Sequence, residues 1–191
     1  MVDENGAGER EIPLHYVCTR DEARTIFDEH ENFWISDCGC REERGECRRS
    51  RRDVCLYVVP EFPPTGGNHR EVSRAEADAL LLLAEQSHLV TRPFRGYVDR
   101  SRTEGVCFCC DDCCGYFQAD DEPCDKGASI ASTTDACNHC GECVRVCYFG
   151  ARTTVDGALV VDGNKCYGCG LCADVCATDC IAMMGRGGGN D

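Results

Sequence analysis

Long apolar stretches are missing from this chain of 191 residues. The longest covers residues 79–84, whereas a membrane-spanning helix needs about 20 apolar residues. The first eleven residues contain neither a basic segment nor an apolar one, so the sequence predicts no secretory signal. These absences argue against membrane insertion and export, and a cytoplasmic location is expected.

Aromatic residues and lysine are also scarce. Aromatic residues make up 7% of the chain, so little apolar material is left for a core once the cysteines are set aside. Lys126 and Lys165 are the only lysines, and 34 acidic residues against 20 basic ones give a net charge of −14. Such a surface repels a phosphate backbone, which excludes nucleic acid as a general partner. It fits either a high-salt cytoplasm, where salt screens the repulsion, or ordinary acidic solubility in a GC-rich genome.

Cysteine, in contrast, is abundant. The chain contains 20 cysteines, a proportion that is diagnostic by itself. A reducing cytosol keeps thiols free, so a disulfide framework is not expected. Metal ligation, by zinc or by iron–sulfur clusters, is the remaining explanation for so many thiols.

The last third of the chain contains a doubled cysteine motif. Cys137-x2-Cys140-x2-Cys143-x3-Cys147 recurs 29 residues later as Cys166-x2-Cys169-x2-Cys172-x3-Cys176. Three thiolates at these intervals can surround one face of a cubane if the gaps form tight turns, for which Gly141 and Gly170 can supply unusual dihedral angles. Zinc is a weak alternative, because zinc sites use paired CxxC motifs rather than runs of four cysteines.

This doubled motif resembles the bacterial two-cluster [4Fe-4S] ferredoxin over roughly residues 133–184. The resemblance implies crossed ligation, in which the fourth cysteine of each run reaches the other cluster. One cluster is then held by Cys137, Cys140, Cys143 and Cys176, and the second by Cys166, Cys169, Cys172 and Cys147. The family usually has Pro after each run, where this chain has Tyr148 and Ala177. We expect this departure to affect reduction potentials more than ligation.

Two further cysteine blocks lie upstream. The first contains Cys38, Cys40, Cys47 and Cys55, and the second contains Cys107, Cys109, Cys110, Cys113 and Cys114. Each block has enough thiolates for one cluster, and mixed ligation across both blocks is equally allowed. Zinc and inert buried thiols are the alternatives, but a cluster domain downstream favours one or two further iron–sulfur clusters. Cys18 and Cys180 are interpreted as small buried residues.

The whole arrangement is similar to a poorly characterised family of iron–sulfur proteins of anaerobes and archaea. Its members join a CxCR…C…C block and a CxCCxxCC-like block to a two-cluster ferredoxin domain, and the similarity covers most of residues 12–184. The resemblance implies electron transfer and no named reaction.

A run of arginines follows the first CxC motif, at Arg41, Arg44, Arg48, Arg49, Arg51 and Arg52. A solvated loop is the plain interpretation. Positive charge beside a cluster would instead stabilise its reduced state, or dock an acidic redox partner or a phosphate-bearing cofactor. Arg41, directly after Cys40, is the residue predicted to contact a cofactor.

The predicted fold is α+β. It combines a ferredoxin-like (βαβ)2 dicluster domain at residues 131–184 with a Cys-rich, metal-supported module at 12–130 that has two short helices. Capping boxes at residues 19–22 and 73–76 predict those helices over about 20–30 and 73–88, and residues 54–59 read as a strand. Residues 1–11 and 185–191 are expected to be flexible tails.

An electron carrier is the predicted function, with enzymatic activity left undecided. No Walker loop, GxGxxG motif or nucleophile elbow signals a substrate site. The expected partner is a redox protein, such as a flavoprotein or a larger oxidoreductase complex. The alternative is a reductase subunit with a catalytic, under-ligated cluster, because Cys113-Cys114-Gly115 is similar to the Cys-Cys-Gly motifs of disulfide reductases. A third hypothesis is that the protein is a redox or iron sensor.

Overall fold

The computed structural model describes residues 11–61, 63–118 and 123–187. Its N-terminal part is built on a sheet of seven strands. In chain order these are β1 (His15–Tyr16), β2 (Phe33–Ser36), β3 (Cys55–Tyr57), β4 (Arg70–Val72), β5 (Val90–Arg95), β6 (Thr103–Cys109) and β7 (Cys124–Asp125). The spatial order is β4-β2-β3-β6-β5-β1-β7, and all neighbours are antiparallel except the β1–β7 pair.

Four helices accompany this sheet: α1 (Arg20–Asp28), α2 (Gly39–Arg44), α3 (Arg74–Gln86) and α4 (Gly115–Gln118). Both expected capping boxes are present, since Thr19 and Ser73 each accept from a backbone N–H and each pair with a glutamate at the third helical position. These caps satisfy donors that would otherwise be orphaned and fix where α1 and α3 begin. The prediction of two short helices was therefore incomplete.

The two faces of the sheet differ in chemistry because side chains alternate along each strand. Leu56, Val106 and Phe108 lie on the face that α1 and α3 cover, within an apolar core of eighteen buried residues. Cys55, Cys107 and Cys109 occupy the alternate positions of the same strands. An apolar core therefore packs one face of the sheet, while metal support of the module stays a prediction.

The C-terminal part repeats a strand–helix–strand unit. Strand β8 (Ser129–Thr133) pairs antiparallel with β11 (Ile181–Gly185), and β9 (Arg152–Val155) forms a hairpin with β10 (Ala158–Val161). Two one-turn helices, α5 (Glu142–Arg145) and α6 (Leu171–Asp174), follow the cysteine turns, and a 3-10 turn spans Gly163–Lys165. Gly141 and Gly170 precede these helices with φ of 81° and 84°, a left-handed conformation that favours glycine.

The boundary between the two parts lies between Asp125, which still pairs through β7 with β1, and Ser129, where β8 begins. At the other end, the Arg186 side chain donates to the carbonyls of Gly127, Ser129 and Cys166. Residues 185 and 186 therefore belong to the domain rather than to a tail. The remaining tail positions, 1–10 and 188–191, lie outside the described residues.

Polar contacts and aromatic packing join the two parts. Arg20 forms a two-point ion pair with Asp174, and the Ser129 hydroxyl donates to Glu22 at 2.8 Å. The Tyr148 hydroxyl donates to the His88 carbonyl at 2.9 Å. No helix among the described residues is long and apolar enough to cross a membrane.

Candidate metal centres

The doubled motif forms two separate cysteine-lined cavities in the C-terminal domain. One is lined by Cys137, Cys140, Cys143 and Cys176, and the other by Cys147, Cys166, Cys169 and Cys172. Cys147 and Cys176 thus lie with the opposite run, which is the grouping that crossed ligation requires. All 20 cysteines are free thiols, so none of these donors is consumed by a disulfide.

Arg152 lies between the two cavities, and the sequence analysis did not single it out. Its side chain is 3% exposed, and its Nη1 donates to the Thr133 hydroxyl at 3.0 Å and approaches the Cys143 sulfur at 3.8 Å. Burial lowers its pKa, but the sulfurs of Cys172 and Cys143 more than offset this and raise it. A buried cation among thiols is expected only where those thiols carry negative charge, as metal-bound thiolates do.

Cys180 is less isolated than the sequence indicates. It is buried as expected, but it lines the cavity of the Cys137 set. Its sulfur lies 3.3 Å from that of Cys176. Burial raises the pKa of Cys176, but hydrogen bonds from Cys180 and Thr178 outweigh this effect and lower the pKa to about 7. Cys180 therefore favours the thiolate form of Cys176. Cys18 is buried in the apolar core.

Six of the nine upstream cysteines form a closed ring on the cysteine face of the sheet. In order around the ring they are Cys38, Cys40, Cys114, Cys109, Cys107 and Cys55, and the pKa of each thiol is shifted by its two neighbours. They line a cavity of about 140 Å³. We call this group the six-cysteine ring.

Secondary structure sets the positions of these six cysteines. Cys107 and Cys109 are two residues apart on β6 and therefore share a face, and Cys55 on β3 is the register partner of Cys107. Cys38 is the residue before α2, where Gly39 packs so closely on Thr65 that a Cβ would lie 2.5 Å from its carbonyl oxygen. The ring therefore depends on the pairing of β3 with β6 and on the start of α2, which come from separate segments of the sequence.

Hydrogen bonding alternates the pKa values around the ring. Hydrogen bonds from Cys114 and Cys38 lower the pKa of Cys40 to about 2. Hydrogen bonds from Cys107 likewise hold the pKa values of Cys55 and Cys109 well below the usual range. The three donors, Cys38, Cys107 and Cys114, have raised pKa values for the same reason. Six cysteines around one cavity suit a thiophilic metal centre, and His15 and Thr65 also line that cavity.

The other three upstream cysteines form a second close group, which we call the cysteine trio, and two of them, Cys110 and Cys113, also line the ring cavity. The sulfurs of Cys47, Cys110 and Cys113 all lie within 4.8 Å of one another, with 3.6 Å between Cys47 and Cys110 and 3.4 Å between Cys110 and Cys113. The structure thus divides both sequence blocks between the ring and the trio.

Arg41 lies between the ring and the trio, beside the sulfurs that the sequence predicted it would approach. It is fully buried; its Nη2 donates to the Phe108 carbonyl at 3.1 Å and lies 4.0 Å from the Cys110 sulfur. Burial lowers its pKa, but nearby sulfurs, including those of Cys47 and Cys38, raise it overall. Its Nε and Nη1 have no hydrogen-bond partner among the described residues, which fits an additional anionic group at this position.

The remaining arginines of the basic stretch are largely paired with acids. Arg48 binds Asp112 and Arg49 binds Asp111, while Arg51 pairs with its neighbour Asp53 at 3.0 Å. Pairing removes much of the positive field that docking of an acidic partner would use. Arg48 and Arg49 instead tie residues 47–53 to the loop that carries Cys110 and Cys113.

Aromatic side chains fill the space between the ring and the nearer cavity of the C-terminal domain. Tyr116 lines the ring cavity, and Phe149 and Tyr167 line the cavity of the Cys166 set. Phe149 stacks on Tyr167 with centroids 4.3 Å apart and lies 6.4 Å from Tyr116. Buried Arg92 covers the Tyr116 ring at 4.2 Å and approaches the Cys114 sulfur at 3.9 Å. The sequence did not single out these residues.

Comparison with known proteins identifies the C-terminal domain. Residues 129–177 match the model of the 4Fe-4S dicluster domain. A stretch of 62 residues, 32% of this chain, is 32% identical to the indolepyruvate oxidoreductase subunit IorA of Methanothermobacter thermautotrophicus, of which it covers 10%. No solved structure matches. The expectation of a ferredoxin-type domain is confirmed, and an iron–sulfur electron-transfer role is supported.

Proposed function

From the 4Fe-4S dicluster domain at residues 129–177, we propose that this protein passes single electrons between a partner oxidoreductase and an iron–sulfur centre in the six-cysteine ring. The observation that carries the proposal is the sequence of three cysteine-lined cavities, joined by aromatic side chains. In the dicluster domain each crossed set of four cysteines would hold one [4Fe-4S] cluster.

The exposure of the cysteines indicates which end of this path a partner protein would contact. Cys140, in the cavity farther from the ring, is exposed, whereas Cys172 in the nearer cavity is buried. The outer cavity is thus the point at which a partner protein would exchange electrons. Phe149, Tyr167 and Tyr116 exclude water between the nearer cavity and the ring, and a dry contact favours electron transfer over solvent reactions.

The ring would hold one polynuclear iron–sulfur centre through Cys38, Cys40, Cys55, Cys107, Cys109 and Cys114. When bound, such a centre supplies reversible one-electron chemistry. The protein's own contribution is electrostatic: Arg41 and Arg92 place positive charge beside the sulfurs, which favours the more negative, reduced state. Thr65 donates to the Cys55 sulfur at 3.5 Å and acts in the same sense.

A redox partner is part of this proposal. The relative in Methanothermobacter is named as a subunit of an oxidoreductase, which supports assembly with, or transient docking to, a larger oxidoreductase or a flavoprotein. The disulfide-reductase reading is less favoured, because Cys113 belongs to the trio and Cys114 to the ring.

The test is a redox titration of the full chain, purified without oxygen, followed by electron paramagnetic resonance. We expect two interacting signals from the dicluster domain and a third, separate signal from the ring. Cys109→Ser should remove the third signal and its iron while the first two remain, whereas Cys124→Ser should leave all three. A wild-type chain whose iron is confined to the dicluster domain would overturn the proposal.

A further inference from the structure

The cysteine trio is spaced differently from every other cysteine group in the described part of the chain. It is the one set of three metal-binding side chains there whose ligand atoms all lie within 4.8 Å of one another. A zinc–sulfur bond of about 2.3 Å with tetrahedral angles places neighbouring sulfurs about 3.8 Å apart. The observed separations of 3.6 and 3.4 Å therefore match ligands that share a single ion.

The dicluster domain provides an internal comparison. Its two crossed sets belong to a domain that holds cubanes, yet neither set brings three described sulfurs within 4.8 Å. The same holds for the six-cysteine ring. A cubane keeps its cysteine ligands apart because each binds a different iron atom. By this measure the trio differs from the ring and from both crossed sets.

Charge compensation supports an ion at the trio. Three thiolates and one divalent cation carry a net charge of −1, which is costly to bury without a counterion. Arg41 supplies the opposite charge: it is fully buried, 4.0 Å from the Cys110 sulfur, and has two nitrogens without a partner among the described residues. The site thus approaches neutrality in a buried position.

The chain also preorganises the trio. Cys47 and the pair Cys110 and Cys113 come from distant segments, and Asp112 joins these segments by accepting from the Arg48 backbone at 3.0 Å and from its Nε at 2.7 Å. The Asp112 carboxylate is committed to this ion pair, so it does not serve as a fourth ligand. Cys47 is only half-buried, which leaves the site open to solvent on that side.

We propose that Cys47, Cys110 and Cys113 bind a single tetrahedral divalent ion of the zinc type, separate from the iron–sulfur centres, with water in its fourth position. Three protein ligands and one exchangeable position characterise catalytic rather than structural zinc sites. The exchangeable position would accept a thiolate or another small anion. This inference does not depend on the electron-transfer role, because it concerns a different metal and different ligands.

The test is X-ray absorption at the zinc edge on the full chain, produced with both metals supplied and purified without oxygen or added thiols. We expect one zinc per chain, with three sulfurs at about 2.3 Å and one oxygen at about 2.0 Å. Cys47→Ser should reduce retained zinc at least tenfold while iron and sulfide stay unchanged. Cys124→Ser, at a cysteine outside both groups, should retain zinc.

Three outcomes would overturn the proposal. Zinc could be absent from the wild-type chain, its edge spectrum could show four sulfurs, or Cys47→Ser could remove about four iron atoms, which would make Cys47 a cubane ligand. Loss of the ring signal in Cys109→Ser with zinc retained would leave both proposals standing. The two proposals can therefore fail separately.

Discussion

The two parts of the molecule hold cysteines in different ways. In the C-terminal domain the largest buried cluster around the crossed cysteine sets consists of Ala131, Ile181 and three cysteines. In the N-terminal module, side chains such as Phe27, Leu80 and Phe108 form a core on one face of the sheet. The strand cysteines Cys55, Cys107 and Cys109 occupy the other face. The first part thus has a small buried cluster around its cysteines, whereas the second has a larger apolar core.

Removal of all metal should separate the two parts most clearly. Without metal–thiolate bonds the binding free energy that orders the C-terminal domain is lost. We expect amide protection in β8, β9 and β11 to fall by at least about 100-fold, equivalent to roughly 2.7 kcal/mol of opening free energy, while β5 and β6 stay protected. Hydrogen exchange with and without metal measures this. Equal loss in both parts would show that metal also holds the sheet.

Truncation of a core side chain should destabilise the N-terminal module even when metal is bound. Leu80 on α3 is 1% exposed and Leu82 on the same helix is 54% exposed. Leu80→Ala should lower the free energy of unfolding by about 2–5 kcal/mol, because it leaves a cavity in the core. Leu82→Ala should change it by less than about 0.5 kcal/mol. Urea unfolding of the metal-loaded chain, followed by Trp34 fluorescence, distinguishes the two variants; similar effects at both positions would contradict the assigned core.

The next largest effect is expected from removing a buried positive charge beside the N-terminal cysteine groups. In the proposed ring centre, buried Arg41 would stabilise the reduced state, and Arg41→Gln removes that cation. We expect the reduction potential of the centre to fall on the order of 50–100 mV, about 1–2 kcal/mol at a high effective dielectric constant. Arg44→Gln, at an exposed position on the same helix, is the control. An unchanged potential in the Arg41 variant would show that its charge does not act on the ring centre.

The contact between the parts should have the smallest effect. Tyr148→Phe removes the hydrogen bond to the His88 carbonyl and should cost about 0.5–1.5 kcal/mol, with iron content unchanged. Tyr97→Phe, at a residue 58% exposed, serves as a comparison. Thermal unfolding of the metal-loaded chains provides the measurement. A loss of iron in the Tyr148 variant would mean that this residue supports ligation rather than the interface.

Local and repeated features were predictable from the sequence. The doubled cysteine motif predicted the dicluster domain, and the capping boxes at Thr19 and Ser73 predicted where two helices begin. The sheet was largely missed because several of its strands are only two or three residues long. One signal was available: Val106-Cys107-Phe108-Cys109 alternates apolar residues with cysteines, which indicates a strand with one apolar face and one ligand face.

The division of nine cysteines between ring and trio could not be predicted. It depends on the register that places Cys55 opposite Cys107 and on the ion pair between Arg48 and Asp112. Both are contacts between distant segments, and the spacing of cysteines along the chain carries no information about them. Tyr148 illustrates the same limit: it was noted as a departure from a family pattern, and the structure shows it bonded to the other part of the molecule.

The crossed grouping in the C-terminal domain has a consequence for synthesis of the protein. Cys137, Cys140 and Cys143 share a cavity with Cys176, so a growing chain that has just exposed the first run lacks the fourth ligand of that site. In the crossed ligation proposed above, this cluster would be complete only after translation has passed Cys176. Until then the emerging thiols depend on the reducing power of their surroundings to stay unoxidised. Brief exposure to oxygen during synthesis should consequently reduce cluster content more than the same exposure of the finished, loaded protein.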